Sequence, residues 1–586
     1  MANIFKNPSY RANIGYSGFD MSHKKMFSST IGELLPVYYD LLQPGDKVSL
    51  NTILKTRTME LASAAMAQIN EHLEWFFVPM TQIYSAFGDF YYQIQDLKSS
   101  LMDRQLIDGR IPFFSAANFL NEQAPVHRDM FYQNSFARLL DWFYPYSASI
   151  DLEGVLNPST PTGFCPIFLC AYQKIFMDFY RDSNRIWNDP NCYSLDKYYS
   201  NNSIPTADFG NFVQLRYRPR RKDFYMNTFV SPLFGSGDVS SFNYSENSIY
   251  ESFRQWVVKV KEYGVTADNS NIDFNGSAGT PSMQTANAEP TAITPAYGVR
   301  VTPTVTNLKD ATLEISNSLS PTAIRTSFAV AKLMEITRRA GKHYDQQTLA
   351  HFGVDVPTGI NGEVTYIGGT DSVINIGDVI ATATAQAGNA TSVLGQVAGK
   401  GYGYSNGKDL KFTAPCHGIL MCIYSADVEA NYDNRFIDRL NLLMSRADWF
   451  TEEYDNLGMQ PLFYYETPLF DSSTSASYYL TVGWQYRYSE LKCKRNTCHG
   501  ALGLNGTLRF WTTHNEHIYD TQSGAFDVSS YYCSPWDLDN IMLVGYSTTL
   551  NDDNAQLIYH RDPLIHELFF DVKKSSKMST YGLEQL

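Results

Sequence analysis

Residues 478–488 read Tyr-Tyr-Leu-Thr-Val-Gly-Trp-Gln-Tyr-Arg-Tyr. Tyr478, Leu480, Val482, Trp484, Tyr486 and Tyr488 occupy one set of alternate positions. Tyr479, Thr481, Gly483, Gln485 and Arg487 occupy the other. This period of two predicts a half-buried antiparallel strand. Lys47 to Arg57 alternates in the same way, with Val48, Leu50 and Leu54 against Lys47, Ser49 and Asn51. His72–Val78 and Leu508–Thr512 read as shorter aromatic strands, and breaks such as Pro44-Gly45 punctuate the series.

Helical spacing is rarer. Tyr172, Ile175, Phe176 and Phe179 follow i, i+3, i+4, i+7, as do Val330, Leu333, Met334 and Thr337. The second helix is expected to start at Ser320-Pro321, with Ser as N-cap and Pro at N1, and to stop at Gly341. Two stretches read as long loops: 264–310, rich in Asn, Ser, Thr, Ala and Pro, and 357–409, rich in Gly, Ala and Thr. Strands dispersed from end to end favour one elaborated β-domain over residues 1–586 rather than a string of modules.

Composition narrows the function. Of 586 residues, 44% are hydrophobic, which suits a globular chain. Aromatics reach 14%, with 40 Tyr, 36 Phe and 8 Trp, a content suited to contact surfaces. The net charge is −14, so nucleic acid would be met only through local basic patches. Eight Cys are too few for a disulfide scaffold. The opening MANIFKNPSYRAN has no apolar core of a secretion signal, and the longest apolar runs, such as Gly418–Tyr424, fall far short of ~20 residues. Synthesis in a cytoplasm with reduced thiols is the expectation.

Catalytic motifs are missing or broken. Gly399-Lys400-Gly401 and Gly407-Lys408 suggest a phosphate loop, yet Tyr402 stands where the first Gly belongs and Asp409 replaces the Ser/Thr. Cys493, Cys498 and His499, with His514 and His517 beyond, supply one loose Cys pair where structural zinc needs four convergent ligands; Cys165 and Cys170 offer less. Neither a G-x-S-x-G elbow nor H-E-x-x-H occurs. No enzyme, metal or cofactor is expected. The strongest local anomaly is basic: Arg216, Arg218, Arg220, Arg221 and Lys222, broken only by Tyr217 and Pro219. Two readings are open, ion pairs to neighbouring carboxylates or contacts to phosphate, with Tyr217 stacking on a base. A second cluster, Arg338, Arg339, Lys342 and His343, would complement a helix C-terminus.

Ala171–Asn184, AYQKIFMDFYRDSN, resembles a signature of the microvirus major capsid proteins, and Arg220–Tyr225, RRKDFY, resembles the basic-Asp-aromatic motif that follows it. Pro44-Gly45-Asp46, Trp75–Pro79, Gly341–Val354, Tyr366–Gly369, His417-Gly418-Ile419 and Asp448–Glu466 keep the family's order. One departure is Ser231-Pro232-Leu233-Phe234-Gly235, where the family often has Pro-Gln-Lys-Gly. The resemblance implies a mainly β chain: an eight-stranded antiparallel viral jelly roll in two sheets, with large loop and helical insertions. It implies a virion subunit of a gokushovirus-like tailless phage, made in a bacterial cytoplasm. Such subunits self-assemble into a T=1 icosahedral shell around circular single-stranded DNA. The implied partners are further copies of the chain, the DNA, a small basic DNA-binding virion protein and a host cell-surface receptor. It also implies a surface insertion near 236–320 that builds protrusions. DNA-facing residues would be Arg216, Tyr217, Arg218, Arg220, Arg221 and Lys222. A carbohydrate-binding or carbohydrate-cleaving β-sandwich is the alternative, because aromatic-rich acidic β-proteins suit sugars.

Overall fold

The computed structural model describes most of residues 16–87, 111–115, 135–143, 163–230, 363–380, 397–513, 531–542 and 562–580, with short pieces elsewhere. The chain divides into two compact units, residues 1–232 with 340–586, and residues 233–339. The expectation is one domain over 1–586 with insertions, one of them at 236–320, and the second unit spans that stretch. In the inserted unit, Val258–Lys259, Asn271–Phe274 and Met283–Thr285 form a small antiparallel sheet. Two of those strands fall inside the stretch 264–310 read as loop. The 321–340 helix and the 338–343 basic cluster lie almost wholly outside the described residues.

The main unit is built on one continuous ten-stranded sheet. Its strands are β1 Ser17–Asp20, β2 His23–Ser29, β3 Leu35–Leu42, β4 Lys47–Thr58, β5 Ile69–Pro79, β6 Thr365–Ile380, β7 Val397–Asn406, β8 Leu410–Thr413, β9 Gly418–Val428 and β12 Leu564–Ser576. β10 Met459–Phe463 and β11 Thr481–Tyr486 form a separate antiparallel pair. The eight longer strands of the large sheet pair in the orders β2-β12-β4-β7 and β3-β9-β5-β6. β6 joins the two sets: its first half, through Ile374, pairs with β5, and Asn375–Ile380 pairs with β7. Two four-stranded antiparallel sheets in these orders are the jelly roll that the family resemblance implied.

The alternation at Lys47–Arg57 is realised. Val48, Leu50 and Leu54 are buried, and Lys47, Lys55 and Arg57 are exposed. Gly418–Val428 is buried at every position. One face of this strand packs in the sandwich and the other lies under α2 (Ile167–Ile175), which follows α1 (Ser135–Phe143), so its continuous apolar run is that of a strand covered on both sides. α2 continues as a π-helical turn, Phe176–Tyr180. Before β4, Pro44-Gly45 turns the chain: Asp46 N–H donates to Gln43 O at 3.0 Å, and Gly45 holds φ +89°, which favours glycine.

Three expectations are corrected. Residues 357–409, read as loop, carry β6 and β7. The glycines misled because they fill the inward positions of a strand: Gly399, Gly401 and Gly403 are buried, while Lys400, Tyr402 and Tyr404 face out. A Cβ on Gly399 would stand 2.0 Å from Ser63 O, and one on Gly403 2.7 Å from Glu71 Oε2, so close backbone approach demands glycine. Leu508–Thr512 is no strand. Arg509–Trp511 makes a 3-10 turn whose N–H groups are satisfied locally, as in Arg509 N–H to Gly506 O. The stretch at 478–488 is shorter than read and lies off the large sheet. Tyr488 leaves the strand at φ +58°, and Gln485, on the face expected to be wet, is buried and donates to Phe224 O at 2.6 Å.

A polar chain crosses the sandwich. Ser29 on β2 and Thr56 on β4 flank His566 on β12, at 2.8 Å from Nε2 and 2.9 Å from Nδ1. The Thr56 hydroxyl donates to Glu71 Oε1 on β5 at 2.5 Å, and Tyr424 on β9 donates to the same oxygen at 3.0 Å. Donor bookkeeping therefore assigns the neutral imidazole its proton on Nδ1, directed at Thr56, with Nε2 accepting from Ser29. Burial, aided by the Arg138 charge, lowers the His566 pKa to about 3. Burial raises that of Glu71 against its hydroxyl donors.

Two predictions follow from this packing. Gly399→Ala should destabilise the unassembled chain by about 1–3 kcal/mol in urea unfolding. Gly377→Ala, whose Cβ meets only Lys400 O at 4.0 Å, should be tolerated. His566 binds its proton more readily in the unfolded chain. Its contribution to stability should therefore be complete above about pH 6.5 and fall as pH drops toward about 3, by up to ~1.4 kcal/mol per unit. The raised Glu71 acts oppositely, its contribution lost as pH rises through its elevated value. The His566 share is the wild-type stability slope minus that of His566→Gln between about pH 4 and 7; equal slopes would contradict it.

Candidate nucleic-acid interface

The basic stretch at 216–222 is laid out by its backbone. Leu34 N–H donates to Arg216 O at 3.0 Å and Arg218 N–H to Gly32 O at 2.6 Å. On the other edge Cys533 N–H donates to Arg218 O at 2.8 Å and Arg220 N–H to Tyr531 O at 2.9 Å. Residues 216–220 thus form an extended strap between 32–34 and 531–533. Pro219 suits such a segment, since it lacks only a donor that the strap does not need there.

The side chains separate into two groups. Arg216 Nε donates to Gln173 Oε1 at 2.7 Å, with its guanidinium 4.7 Å above the Phe176 ring. Arg218 donates to Glu74 Oε2 at 2.7 Å and to Ser425 Oγ at 2.9 Å, 5.8 Å from the centre of the Tyr180 ring. Arg220 is buried and pairs with Asp537 at 2.7 Å. Burial disfavours the charges of Arg218 and Arg220, and their carboxylate partners outweigh it, so both are held firmly cationic. Tyr217 is half-buried and packs against the main core. Arg221 and Lys222 are exposed. Of the two readings left open by the sequence, ion pairing describes Arg218 and Arg220. As phosphate ligands these two are unsuited, because their donor forks are turned inward, and Arg216 is likewise engaged. Only Arg221 and Lys222 present charge to solvent.

The network around this strap left little trace in the sequence. Glu74 accepts from both Arg218 and the Tyr180 hydroxyl, the latter at 2.5 Å. His72 on β5 lies 2.6 Å from Asp371 on β6 and 3.3 Å from Asp427 on β9. Burial opposes a charge on His72, but Asp427 and Asp371 prevail and raise its pKa. Asp427 is lowered despite its burial by His72, Asn70 and Arg218. The available signal was the placing of Glu71, His72 and Glu74 within the apolar run Ile69–Pro79, where each charge needs a partner. A satellite core joins the RRKDFY motif to β11: Phe224, Tyr225 and Met226 pack with Tyr432, Leu462 and Tyr531, and Phe229 exchanges backbone hydrogen bonds with Trp484 at 2.7 and 2.8 Å.

The other candidates have plain settings. Gly399-Lys400-Gly401 lies in a strand. Cys493 is exposed, whereas Cys498 is buried with Sγ 3.8 Å from Thr512 Oγ1. His514 and His517 lie outside the described residues. Among the described residues, no three His, Cys, Asp or Glu side chains converge as metal ligands would.

Comparison with known proteins agrees with the jelly-roll topology. The family described as Capsid protein (F protein) matches residues 10–104 and 153–523. Capsid protein VP1 of Chlamydia phage 1 is 23% identical over 548 residues, covering 85% of this chain and 87% of that protein. The resemblance to microvirus major capsid proteins, first carried by short motifs in a fixed order, thus extends along most of the sequence, and the chain belongs to the phage capsid protein (F protein) family.

Proposed function

We propose that this capsid protein closes with its own copies into a T=1 icosahedral shell around circular single-stranded DNA. The observation that carries the reading is the pair of four-stranded sheets, β2-β12-β4-β7 and β3-β9-β5-β6, in a chain of the capsid family. A closed symmetric assembly buries hydrophobic and aromatic surface without fibre growth. Several large apolar side chains stand in solvent on the isolated chain, among them Trp187, Met444, Trp449 and Phe450, and suit such contacts. The role is structural, with no reaction assigned. The net charge of −14 favours a small basic virion protein as the main neutraliser of DNA. The inserted unit, 233–339, takes in the expected protrusion at 236–320 and is the segment we assign to attachment at a host receptor. Synthesis would take place in a bacterial cytoplasm. Within this reading Arg221 and Lys222 remain as the part of the basic stretch free to meet phosphate.

Purified chain, offered its DNA and accessory proteins, should form closed megadalton particles by electron microscopy and gel filtration. A persistent monomer of 66.4 kDa would favour the sugar-binding alternative. The strap can be dissected separately. Arg220→Gln should cost about 3–5 kcal/mol of stability by leaving Asp537 buried and unpaired. Arg221→Gln with Lys222→Gln should leave stability and empty-shell assembly intact while reducing DNA retention. Unchanged retention would remove the pair from the interface.

A further inference from the structure

The two sheets differ on their outer sides. That of β3-β9-β5-β6 is covered by α2, the π turn and the strap. Among the described residues nothing is laid over the outer side of β2-β12-β4-β7. Its outward positions, with those of the flanking β1 and β8, carry Lys24, Lys47, Lys55, Arg57, Lys400, Lys411 and Lys573 against three carboxylates, Asp20, Glu567 and Asp571. Lys24 pairs with Glu567 at 2.7 Å, and Lys573 lies 3.8 Å from Asp571. Among the described residues Lys55, Arg57, Lys400 and Lys411 close no ion pair, although behind Lys24 the charges of Lys55 and Arg57 reach Glu567 and help hold its carboxyl low. Such a surplus of cations on one face is the reverse of the chain's overall balance of −14.

Aromatic rings are interleaved with these charges. Tyr402 and Tyr404 are 49% and 53% exposed, and the strand register sets Tyr402 opposite Arg57 and Tyr404 opposite Lys55. The next strand continues both rows, with Ile565 opposite Arg57 and Glu567 opposite Lys55. Two residues along a strand span about 6.8 Å, twice the ~3.4 Å rise of stacked bases, so the two rings frame room for one base. A Cβ on Gly401 would stand 2.5 Å from Thr58 Cγ2 and one on Gly403 2.7 Å from Glu71 Oε2, so the strand that carries the rings lies close against the core.

We infer that this open sheet face, centred on Lys55, Arg57, Lys400, Tyr402 and Tyr404, binds single-stranded polynucleotide. The phosphates lie along the cations and a base inserts between the tyrosines. Positive charge in excess of the carboxylates disfavours a small basic protein here, and exposed rings with sequence-tolerant faces suit unpaired bases better than a duplex. The inference rests on the reading that the shell encloses single-stranded DNA, and it supplies that reading with a surface on the sheet opposite the strap.

The probe is a fluorescent 20-nucleotide oligo-dT titrated into the full-length protein across a salt series, with an equal-length duplex alongside. Lys55→Gln with Arg57→Gln should flatten the log–log salt dependence by about 1.4, two contacts at ~0.7 each. Tyr402→Leu with Tyr404→Leu should weaken binding at least about fivefold at every salt concentration, and Tyr402→Phe with Tyr404→Phe should retain it. Ultraviolet crosslinking should attach thymidine to the peptide holding Tyr402 and Tyr404. Wild-type binding by both the Gln and Leu pairs, crosslinks confined to Arg221–Lys222, or equal preference for the duplex would overturn the inference. So would loss of subunit association with oligo-dT binding preserved, which would make the face a contact between copies. Particle formation is scored separately by light scattering, so a failure of the shell reading is distinguishable from a failure of the face.

Discussion

Glu71 is a carboxyl group set in the middle of an otherwise apolar sandwich, and much of the architecture answers to it. Taking such a group out of water is costly unless hydroxyl and imidazole partners are in place. Those partners come from five other strands: Ser29, Thr56 and His566 from one sheet, Tyr424 and Ser372 from the other, with Ser372 Oγ 3.3 Å from Glu71 Oε2. An apolar core of similar volume accepts sliding registers more readily. A chain of donors and acceptors does not, since a slip of one residue turns each member to the wrong face. The network therefore fixes how the two sheets face each other, and Gly403 provides the space in which the carboxyl group sits.

Registration on the inside coexists with asymmetry on the outside. The β3-β9-β5-β6 sheet is closed over by a helix and by an arginine-rich strap whose charges are neutralised by Glu74, Asp427 and Asp537. Here arginine acts as a fastener: its fork ties a segment far along the chain to carboxylates on the sheet and on residue 537. Among the described residues the opposite sheet has no such cover, and its exposed lysines and tyrosines keep a hydration that a later contact would displace. The same residue type thus serves cohesion on one side and leaves charge available on the other.

How much of this the sequence disclosed depended on which face a residue met. Lys47–Thr58 was legible because one side is wet and the other dry, which writes alternation directly into the sequence. Val397–Asn406 also alternates, but its inner side is glycine, so composition suggested a loop where the pattern was a strand. Gly418–Val428 shows no alternation because both its sides are covered. At 478–488 the aromatic alternation was real, yet Gln485 is buried for its hydrogen bonds to Phe224 O and Thr228 Oγ1, which no periodicity reports. For the basic stretch, residue density identified an unusual segment and left its partners undetermined. Glu74, Asp427 and Asp537 lie between 144 and 317 residues away in sequence, and only the fold brings them near.

The register also determines where the two largest excursions leave the sandwich. One departs after Pro79 and returns at Thr365, which pairs with Phe77, so it opens and closes at one end of β5. The other departs after Val428, whose partner is Ile69, at the far end of the same strand. The two are joined at set points, where the strap at 216–220 bonds to 531–533 and Phe229 bonds to Trp484. For a lineage under pressure to change its outer features, such a scaffold lets length and content vary between these tie points, while a change at one side of a tie must be answered on the other.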